Sequence, residues 1–138
     1  MVIVDTNVLS EVLLPAPDDR VRLWIGAHSG SDLFTTAITL AEMHYGVELV
    51  PTRKRRSELQ AGIDRLFEEF DDRVLPFDAA AGLEFALILA SRRRSGRPIR
   101  EVDAQIAAIA RSHGAAVATR NMDDFANCGV ELINRWAG

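Results

Sequence analysis

Short apolar segments alternate with helical patterns along the whole chain, and this alternation restricts the fold more than any other feature. The candidate strands are rich in β-branched or other apolar residues and lie at 2–4, 33–36, 74–77, 115–119 and 131–133. Between them, apolar residues recur at helical spacing in stretches that end near proline, glycine or paired acids. Strands that are separated by helices form a parallel sheet with helices on both faces and right-handed crossovers. The sequence therefore predicts an α/β fold, a three-layer α/β/α sandwich around a short-stranded, mainly parallel central sheet.

The length and composition predict one domain that covers residues 1–138. A chain of 138 residues suits one core, and no repeat, linker or low-complexity segment divides it. No apolar run approaches the ~20 residues of a membrane span, and the first residues lack the features of a secretory signal. Cys128 is the only cysteine, so an internal disulfide is excluded. We therefore expect a reducing, cytoplasmic setting.

The charge pattern is more informative than the net charge. A formal net charge of −4 argues against a protein that coats nucleic acid through bulk charge. The arginines nevertheless form two clusters, one at 53–56 and one that starts at 92–94 and continues to Arg97 and Arg100. The planar guanidinium matches phosphate. The clusters are either solvated helix faces or a surface that contacts a phosphate backbone such as that of RNA, whose candidate residues are Arg53, Arg55, Arg56, Arg92, Arg93 and Arg94.

Acidic side chains follow several of the predicted strands. Asp5 comes directly after the first strand, and Glu42 lies near the start of the helix after the second, for which Thr39 is the predicted N-cap. The turn 121–124 follows the fourth strand. The C-terminal ends of parallel strands share one rim, where ligands bind, so these three groups are expected to lie together. Asp103 begins a helix that follows another helix, and topology alone leaves its end of the sheet undecided.

Each acid also has a purely structural explanation. Asp5 could cap the helix that follows it, and Glu42 could complete a capping box with Thr39. Asp103 could be stabilised merely by the dipole of the helix in whose first turn it lies. Asp124 could be an ordinary turn residue. Several carboxylates in one place, however, repel each other unless a cation or shared protons hold them together. Oxygen ligands of this kind suit Mg²⁺ or Mn²⁺.

Four blocks of the sequence resemble one known family. The run Val-Asp-Thr-Asn-Val-Leu-Ser-Glu at 4–11 resembles the opening of the PIN-domain nucleases, and closely that of the VapC and FitB-like toxins. The resemblance continues at 37–46, 103–110 and 119–125, in order and over nearly the whole chain. It implies a single PIN domain and a Mg²⁺- or Mn²⁺-dependent endoribonuclease, the toxin of a type II toxin–antitoxin pair.

The resemblance also implies roles for individual residues. The catalytic acids would be Asp5, Glu42, Asp103 and Asp124, with Asp5 and Asp103 as metal ligands, and the helix that begins near Asp103 would start at the same rim. The residues that orient these carboxylates or water would be Thr6, Asn7, Thr119 and Asn121. Many relatives have an acid where this chain has Asn121, so either Asn121 or Asp124 fills the fourth position. RNA would be cut by metal-activated water in an in-line attack.

The expected partners are an RNA substrate and a small cognate antitoxin that covers the acidic site, with the chain itself as a homodimer or part of a larger toxin–antitoxin assembly. The alternative, which Asn121 keeps open, is a weakly active RNA-binding or RNA-processing PIN protein outside such a pair. Other classes fit less well. The first strand lacks a following glycine-rich phosphate loop, Lys54 does not follow a late strand as in receiver domains, and the histidines and Cys128 lack zinc-ligand spacing.

Overall fold

The central sheet has five strands in the order β3-β2-β1-β4-β5, and each adjacent pair is parallel. The structure is a computed structural model and describes residues 1–28 and 32–136. The strands are β1 Val2–Val4, β2 Leu33–Thr36, β3 Val74–Leu75, β4 Ala116–Ala118 and β5 Leu132–Ile133. The predicted short-stranded parallel sheet is confirmed. Strand β3 is shorter than the predicted 74–77 because Pro76 has no N–H with which to continue the ladder.

Six α-helices and two short 3₁₀ turns connect these strands within the described residues. The helices are α1 Thr6–Val12, α2 Asp19–Ala27, α3 Ala37–Glu48, α4 Arg53–Phe70, α5 Ala79–Arg94 and α6 Glu101–Ser112, and the 3₁₀ turns are Asp71–Arg73 and Asp123–Phe125. Asp18 and Asp78 are the N-caps of α2 and α5, since each carboxylate accepts a backbone N–H of its helix. The sequence pattern predicts a loop at 28–31 after α2, and positions 29–31 of this range lie outside the described residues. None of the described helices is long and apolar enough to cross a membrane.

The start of α3 differs from the prediction. The helix begins at Ala37, and its N-cap is Thr36, whose Oγ1 accepts the backbone N–H of Thr39 at 3.1 Å. The prediction of Thr39 as N-cap is therefore wrong. Thr36 ends β2 and already has extended backbone geometry, so the helix can start directly from the strand. Glu42 consequently lies in the second turn of α3 and does not complete a capping box with Thr39.

The central strand β1 contributes to a separate core on each face of the sheet. Successive side chains of a strand point to opposite faces, and Ile3 and Val4 do so here. Ile3 packs in the core that α5 and α6 cover, with Ile88 and Ile106. Val4 packs in the core that α1 to α4 cover, with Met43. The two cores confirm the predicted three-layer arrangement of helices, sheet and helices.

Candidate functional site

Asp5 lies at the C-terminal end of the central strand and is only 3% exposed. It occupies the N-cap position of α1, yet its carboxylate makes no capping hydrogen bond. Its Oδ2 instead accepts the Asn7 amide Nδ2 at 2.7 Å and the Thr119 hydroxyl at 2.9 Å. The cap explanation for Asp5 therefore fails, and its carboxylate is held by side chains that leave Oδ1 free of these two donors.

Asn7 and Thr119 tie the Asp5 carboxylate to the loop after β4. The Asn7 Oδ1 atom accepts the backbone N–H of Arg120 at 3.0 Å. The Thr119 hydroxyl, which is fully buried, accepts the backbone N–H of Asn121 at 3.0 Å. The two ends of this network come from neighbouring parallel strands, so the network sets both the position of Asp5 and the start of the loop 120–124.

Glu42 reaches the same rim from α3. The Thr6 hydroxyl, in the first turn of α1, donates to Glu42 Oε1 at 2.7 Å. The Thr6 oxygen also lies 3.2 Å from the hydroxyl oxygen of the buried Thr39. Thr6 therefore holds the Glu42 side chain against the end of β1, beside Asp5.

Asp103 is the third residue of α6 and is 4% exposed. Both of its carboxylate oxygens accept hydrogen bonds from Arg100, from Nε to Oδ2 at 3.0 Å and from Nη2 to Oδ1 at 3.0 Å. Arg100 is the N-cap residue of α6 but makes no side-chain capping bond. A buried carboxylate in a two-bond pair with an arginine is more than a helix-dipole preference.

Arg92 explains how Asp103 comes to the rim, which topology left undecided. It is 6% exposed at the end of α5, and its Nη1 donates to the carbonyl oxygens of Asp124 at 3.1 Å and Ala126 at 2.8 Å. Its Nε donates to the Arg97 carbonyl. These bonds fasten the end of α5 to the loop after β4, so the short connection that follows starts α6 beside Asp5. The assignment of Arg92 to an RNA-binding surface is corrected, because its guanidinium is buried against these carbonyls.

The other arginines of the predicted RNA surface are more accessible. Arg53, Arg55, Arg93 and Arg94 are exposed, while Arg56 is half-buried and donates to the Val50 carbonyl. Arg93 and Arg94 extend from the end of α5 that Arg92 fastens to the rim. A role of these five arginines in RNA binding remains a prediction.

Asn121 and Asp124 line an open depression next to the carboxylates. Its volume is about 340 Å³, and its lining residues are Arg120, Asn121, Met122, Asp123 and Asp124. Asn121 and Asp124 are both exposed. The depression is the open side of the rim, and which of the two residues acts there stays undecided.

The electrostatics of the rim reflect the crowding of its acids. Burial raises the pKa of Asp5 from 3.8 to about 6, and the carboxylates of Asp103 and Glu42 add to the rise. The Thr6 backbone N–H and the Thr119 hydroxyl act in the opposite direction. Asp103 and Glu42 are therefore each close enough to repel Asp5, as expected of acids that share a site.

The donors at this rim are chemically suited to a hard divalent cation. Carboxylate oxygens with nearby hydroxyl and amide groups are the ligands that Mg²⁺ and Mn²⁺ prefer. Within 1–28 and 32–136, however, no three side chains of His, Cys, Asp or Glu are already grouped at metal-binding spacing. Both oxygens of Asp103 contact Arg100 instead. The residues fit the cation by chemistry, but a guanidinium occupies one of the two predicted ligands.

Two functional positions escaped the sequence analysis, Arg92 as an anchor and Arg100 as the partner of Asp103. A signal for Arg92 exists in the helical spacing, because it continues the buried stripe of Ala81 and Ile88 on α5. A signal for Arg100 is its position three residues before Asp103, at a helix start. Neither residue stood out in the sequence, because both belong to a cluster of neighbouring arginines.

Comparisons with known proteins agree with this geometry. A family model described as the PIN domain matches residues 2–130. A VapC ribonuclease from Sinorhizobium fredii is 39% identical over 99% of this chain and 98% of its own length. The crystal structure of FitAcB from Neisseria gonorrhoeae is 35% identical with a TM-score of 0.92, and covers 99% of both chains. A VapBC-5 structure from Mycobacterium tuberculosis, titled as a member of the VapBC family of toxin–antitoxin systems, is 28% identical with a TM-score of 0.70 over 96% of each chain.

Proposed function

Since this chain belongs to the PIN-domain family and is similar throughout to a VapC ribonuclease, we propose that it is a Mg²⁺- or Mn²⁺-dependent endoribonuclease and the toxin of a toxin–antitoxin pair. One observation carries the proposal. Asp5 and Asp103, both almost completely buried, come from separate elements to the same rim as Glu42. Buried acids gathered at one rim are costly unless positive charge balances them, and a divalent ion bound there would supply that charge.

Asp5 and Asp103 would hold the divalent ion, with Glu42 and either Asn121 or Asp124 completing the site directly or through water. When bound, the ion would supply Lewis-acid chemistry, which makes water a better nucleophile and neutralises the charge that develops on an RNA phosphodiester. Asn7 and Thr119 keep the Asp5 carboxylate in one orientation, and Thr6 does the same for Glu42.

The exposed arginines would hold the RNA backbone. Arg93 and Arg94 are exposed and directly follow Arg92, which donates to the Asp124 carbonyl, so they would add positive charge near the loop after β4. Arginine suits this task because its fork binds phosphate through two hydrogen bonds. The charge of these residues also offsets the repulsion between the acidic rim and a polyanion.

The proposed partner is a small cognate antitoxin that covers the rim. The related protein from Mycobacterium tuberculosis supports this, since it is a member of the VapBC family of toxin–antitoxin systems. The chain also presents apolar side chains that a partner or a second copy would cover. Leu83 and Leu87 lie one turn apart on α5 with most of their surface exposed, and so do Tyr45 on α3 and Leu49, the residue that ends this helix. A homodimer, or a larger assembly with the antitoxin, follows from the same proposal.

The alternative is an RNA-binding or RNA-processing protein with weak activity that acts outside a toxin–antitoxin pair. The observation that favours it is Asn121, a neutral side chain at the open side of the rim where an acid would strengthen cation binding. The two candidates differ in whether cleavage by the purified chain is strong and depends on the buried acids.

The test is cleavage of a labelled RNA by the purified chain in Mn²⁺ or Mg²⁺, with and without a chelator. Cleavage should stop in the chelator and return when excess metal is added. Asp5→Asn should lower the rate at least about 100-fold, because even residues that only support a metal ligand cost 10–100-fold when they are replaced. The matched control is Asp72→Asn, the same change at an exposed acid of the 3₁₀ turn after α4, which should cleave like the wild type. Metal-independent cleavage, or full activity of Asp5→Asn, would contradict the proposal.

A further inference from the structure

The Arg100 guanidinium donates two hydrogen bonds to Asp103, a residue that is predicted to bind metal. Its Nε and Nη2 each lie 3.0 Å from one oxygen of Asp103, so no oxygen of that carboxylate is without an arginine contact. The two side chains form a planar pair of parallel hydrogen bonds, the strongest geometry that an arginine and a carboxylate adopt. In this arrangement the positive charge of Arg100 balances the negative charge of the Asp103 carboxylate.

The exposure of the Arg100 side chain allows its guanidinium to move away from Asp103. The Arg100 side chain is 68% exposed, whereas that of Asp103 is 6% exposed. Arg100 precedes α6 and makes no capping bond to it, so its side chain can turn into solvent without disturbing the helix. The fixed partner of the pair is therefore Asp103, and the movable partner is Arg100.

Arg100 faces the other acids of the rim as well. Hydrogen bonds to Asp103 raise the pKa of Arg100 above its ordinary value, and the negative charges of Glu42 and Asp124 add to the rise. A single guanidinium thus lies within the field of three carboxylates. This is the charge environment that a divalent ion would need.

We propose that Arg100 is a built-in counter-cation that competes with the divalent ion for Asp103. This inference rests on the proposed function and adds a form of regulation to the same site. In the metal-free protein Arg100 holds Asp103 and relieves the repulsion among the acids. Metal binding requires the Arg100 guanidinium to release Asp103.

The competition has a measurable consequence for affinity. A ligand that binds only molecules in the open state has an apparent dissociation constant equal to the intrinsic constant divided by the fraction of open molecules. Removal of the Arg100 guanidinium should therefore tighten metal binding, by about 3- to 5-fold for an ion pair with one exposed partner. The same change should lower the thermal stability of the metal-free protein, because the rim acids lose their counter-ion.

Any nearby positive charge repels a cation, so the experiment needs a charge-matched control. Arg97→Gln provides it, because Arg97 is an exposed arginine three positions before Arg100, in the same connection between α5 and α6. Arg100→Lys provides a second comparison, since lysine keeps the charge but cannot form the two parallel bonds. We expect Arg100→Gln to bind most tightly, Arg100→Lys to lie between it and the wild type, and Arg97→Gln to stay within twofold of the wild type.

The measurement is isothermal titration of the full chain with Mn²⁺ alone, without RNA, alongside Asp5→Asn. Equal affinity of Arg100→Gln and the wild type, or an equal gain in Arg97→Gln, would overturn the inference. If Asp5→Asn abolishes binding while Arg100→Gln changes nothing, this inference fails and the proposed metal site stands. If no variant binds Mn²⁺ at all, the metal site is refuted, and the competition with it.

A second readout uses the unaltered chain. The Nε–H resonance of Arg100, identified by its loss in Arg100→Lys, should report a hydrogen-bonded guanidinium in chelator. Titration with diamagnetic Mg²⁺ should move this resonance toward the position of a solvated arginine, with the same midpoint as metal binding. A resonance that stays unchanged at saturating Mg²⁺ would contradict the release of Asp103.

Discussion

At the scale of single residues, the behaviour of Asp5 depends on what surrounds its carboxylate. The group is buried at the end of the central strand, and it accepts hydrogen bonds from Asn7 and Thr119 on one oxygen. Those bonds favour the charged form, but burial outweighs them and raises the pKa to about 6. A carboxylate in this state is costly to the metal-free fold, and a bound cation would remove that cost.

Asp5→Asn should therefore change how stability depends on pH. Between the ordinary pKa of 3.8 and the folded pKa of about 6, the folded state keeps a proton that the unfolded chain releases. The free energy of unfolding thus falls as pH rises through this window, by about 1–3 kcal/mol in total. In chelator at pH 8, Asp5→Asn should be more stable than the wild type by that amount, and the difference should vanish near pH 4.

Urea denaturation of both proteins at a series of pH values measures this difference. Asp72→Asn is again the matched control, and its stability should run parallel to that of the wild type. A stability difference between Asp5→Asn and the wild type that does not change from pH 4 to pH 8 would show that the pKa of Asp5 is not raised.

At the scale of elements, one side chain joins the end of α5 to the loop after β4. Arg92 donates to three carbonyl oxygens, those of Arg97, Asp124 and Ala126. Through these bonds it sets the start of the connection that leads to Arg100 and Asp103. The geometry of the acidic rim therefore depends on a residue that touches none of its carboxylates.

Arg92→Met should destabilise the fold by about 2–4 kcal/mol, because it leaves buried carbonyl oxygens without donors and leaves empty the space that the guanidinium fills. Arg93→Met is the matched control, since the next residue is exposed and its replacement should stay within about 0.5 kcal/mol. Chemical denaturation in chelator measures the free energy of unfolding of both variants. Equal stabilities of Arg92→Met and Arg93→Met would contradict the anchoring role of Arg92.

The elements also show which features can be predicted from sequence. Asp5 was predictable, because an acid that directly follows an apolar β-branched run has only one place in a parallel sheet. The N-cap of α3 was not, since Thr36 and Thr39 lie one helical turn apart and both carry suitable hydroxyls. Only the structure distinguishes them, because β2 extends to Thr36, whose Oγ1 accepts the backbone N–H of Thr39. The burial of Arg92 was concealed in the same way by its exposed neighbours.

At the scale of the whole molecule, the parallel topology of the sheet brings the residues of the rim together. Strands β1 and β4 are neighbours, so Asp5 and Thr119 meet although 114 positions separate them in sequence. The parallel sheet follows from the alternation of strands and helices, whereas the order of its strands is known from the structure. The position of Asp103 does not follow from it, because α6 comes after a helix and its direction depends on how α5 ends. The family resemblance supplied that position, and the contacts of Arg92 give its physical reason.

The central claim is that this rim performs metal-dependent attack of water on an RNA phosphodiester. Cleavage of RNA in ¹⁸O-labelled water, followed by mass spectrometry of the new ends at early times, tests it most directly. We expect one ¹⁸O atom in each new terminal phosphate, no 2′,3′-cyclic phosphate, and loss of these products in chelator and in Asp103→Asn. Cyclic phosphate ends, or labelled products that persist in Asp103→Asn, would contradict it.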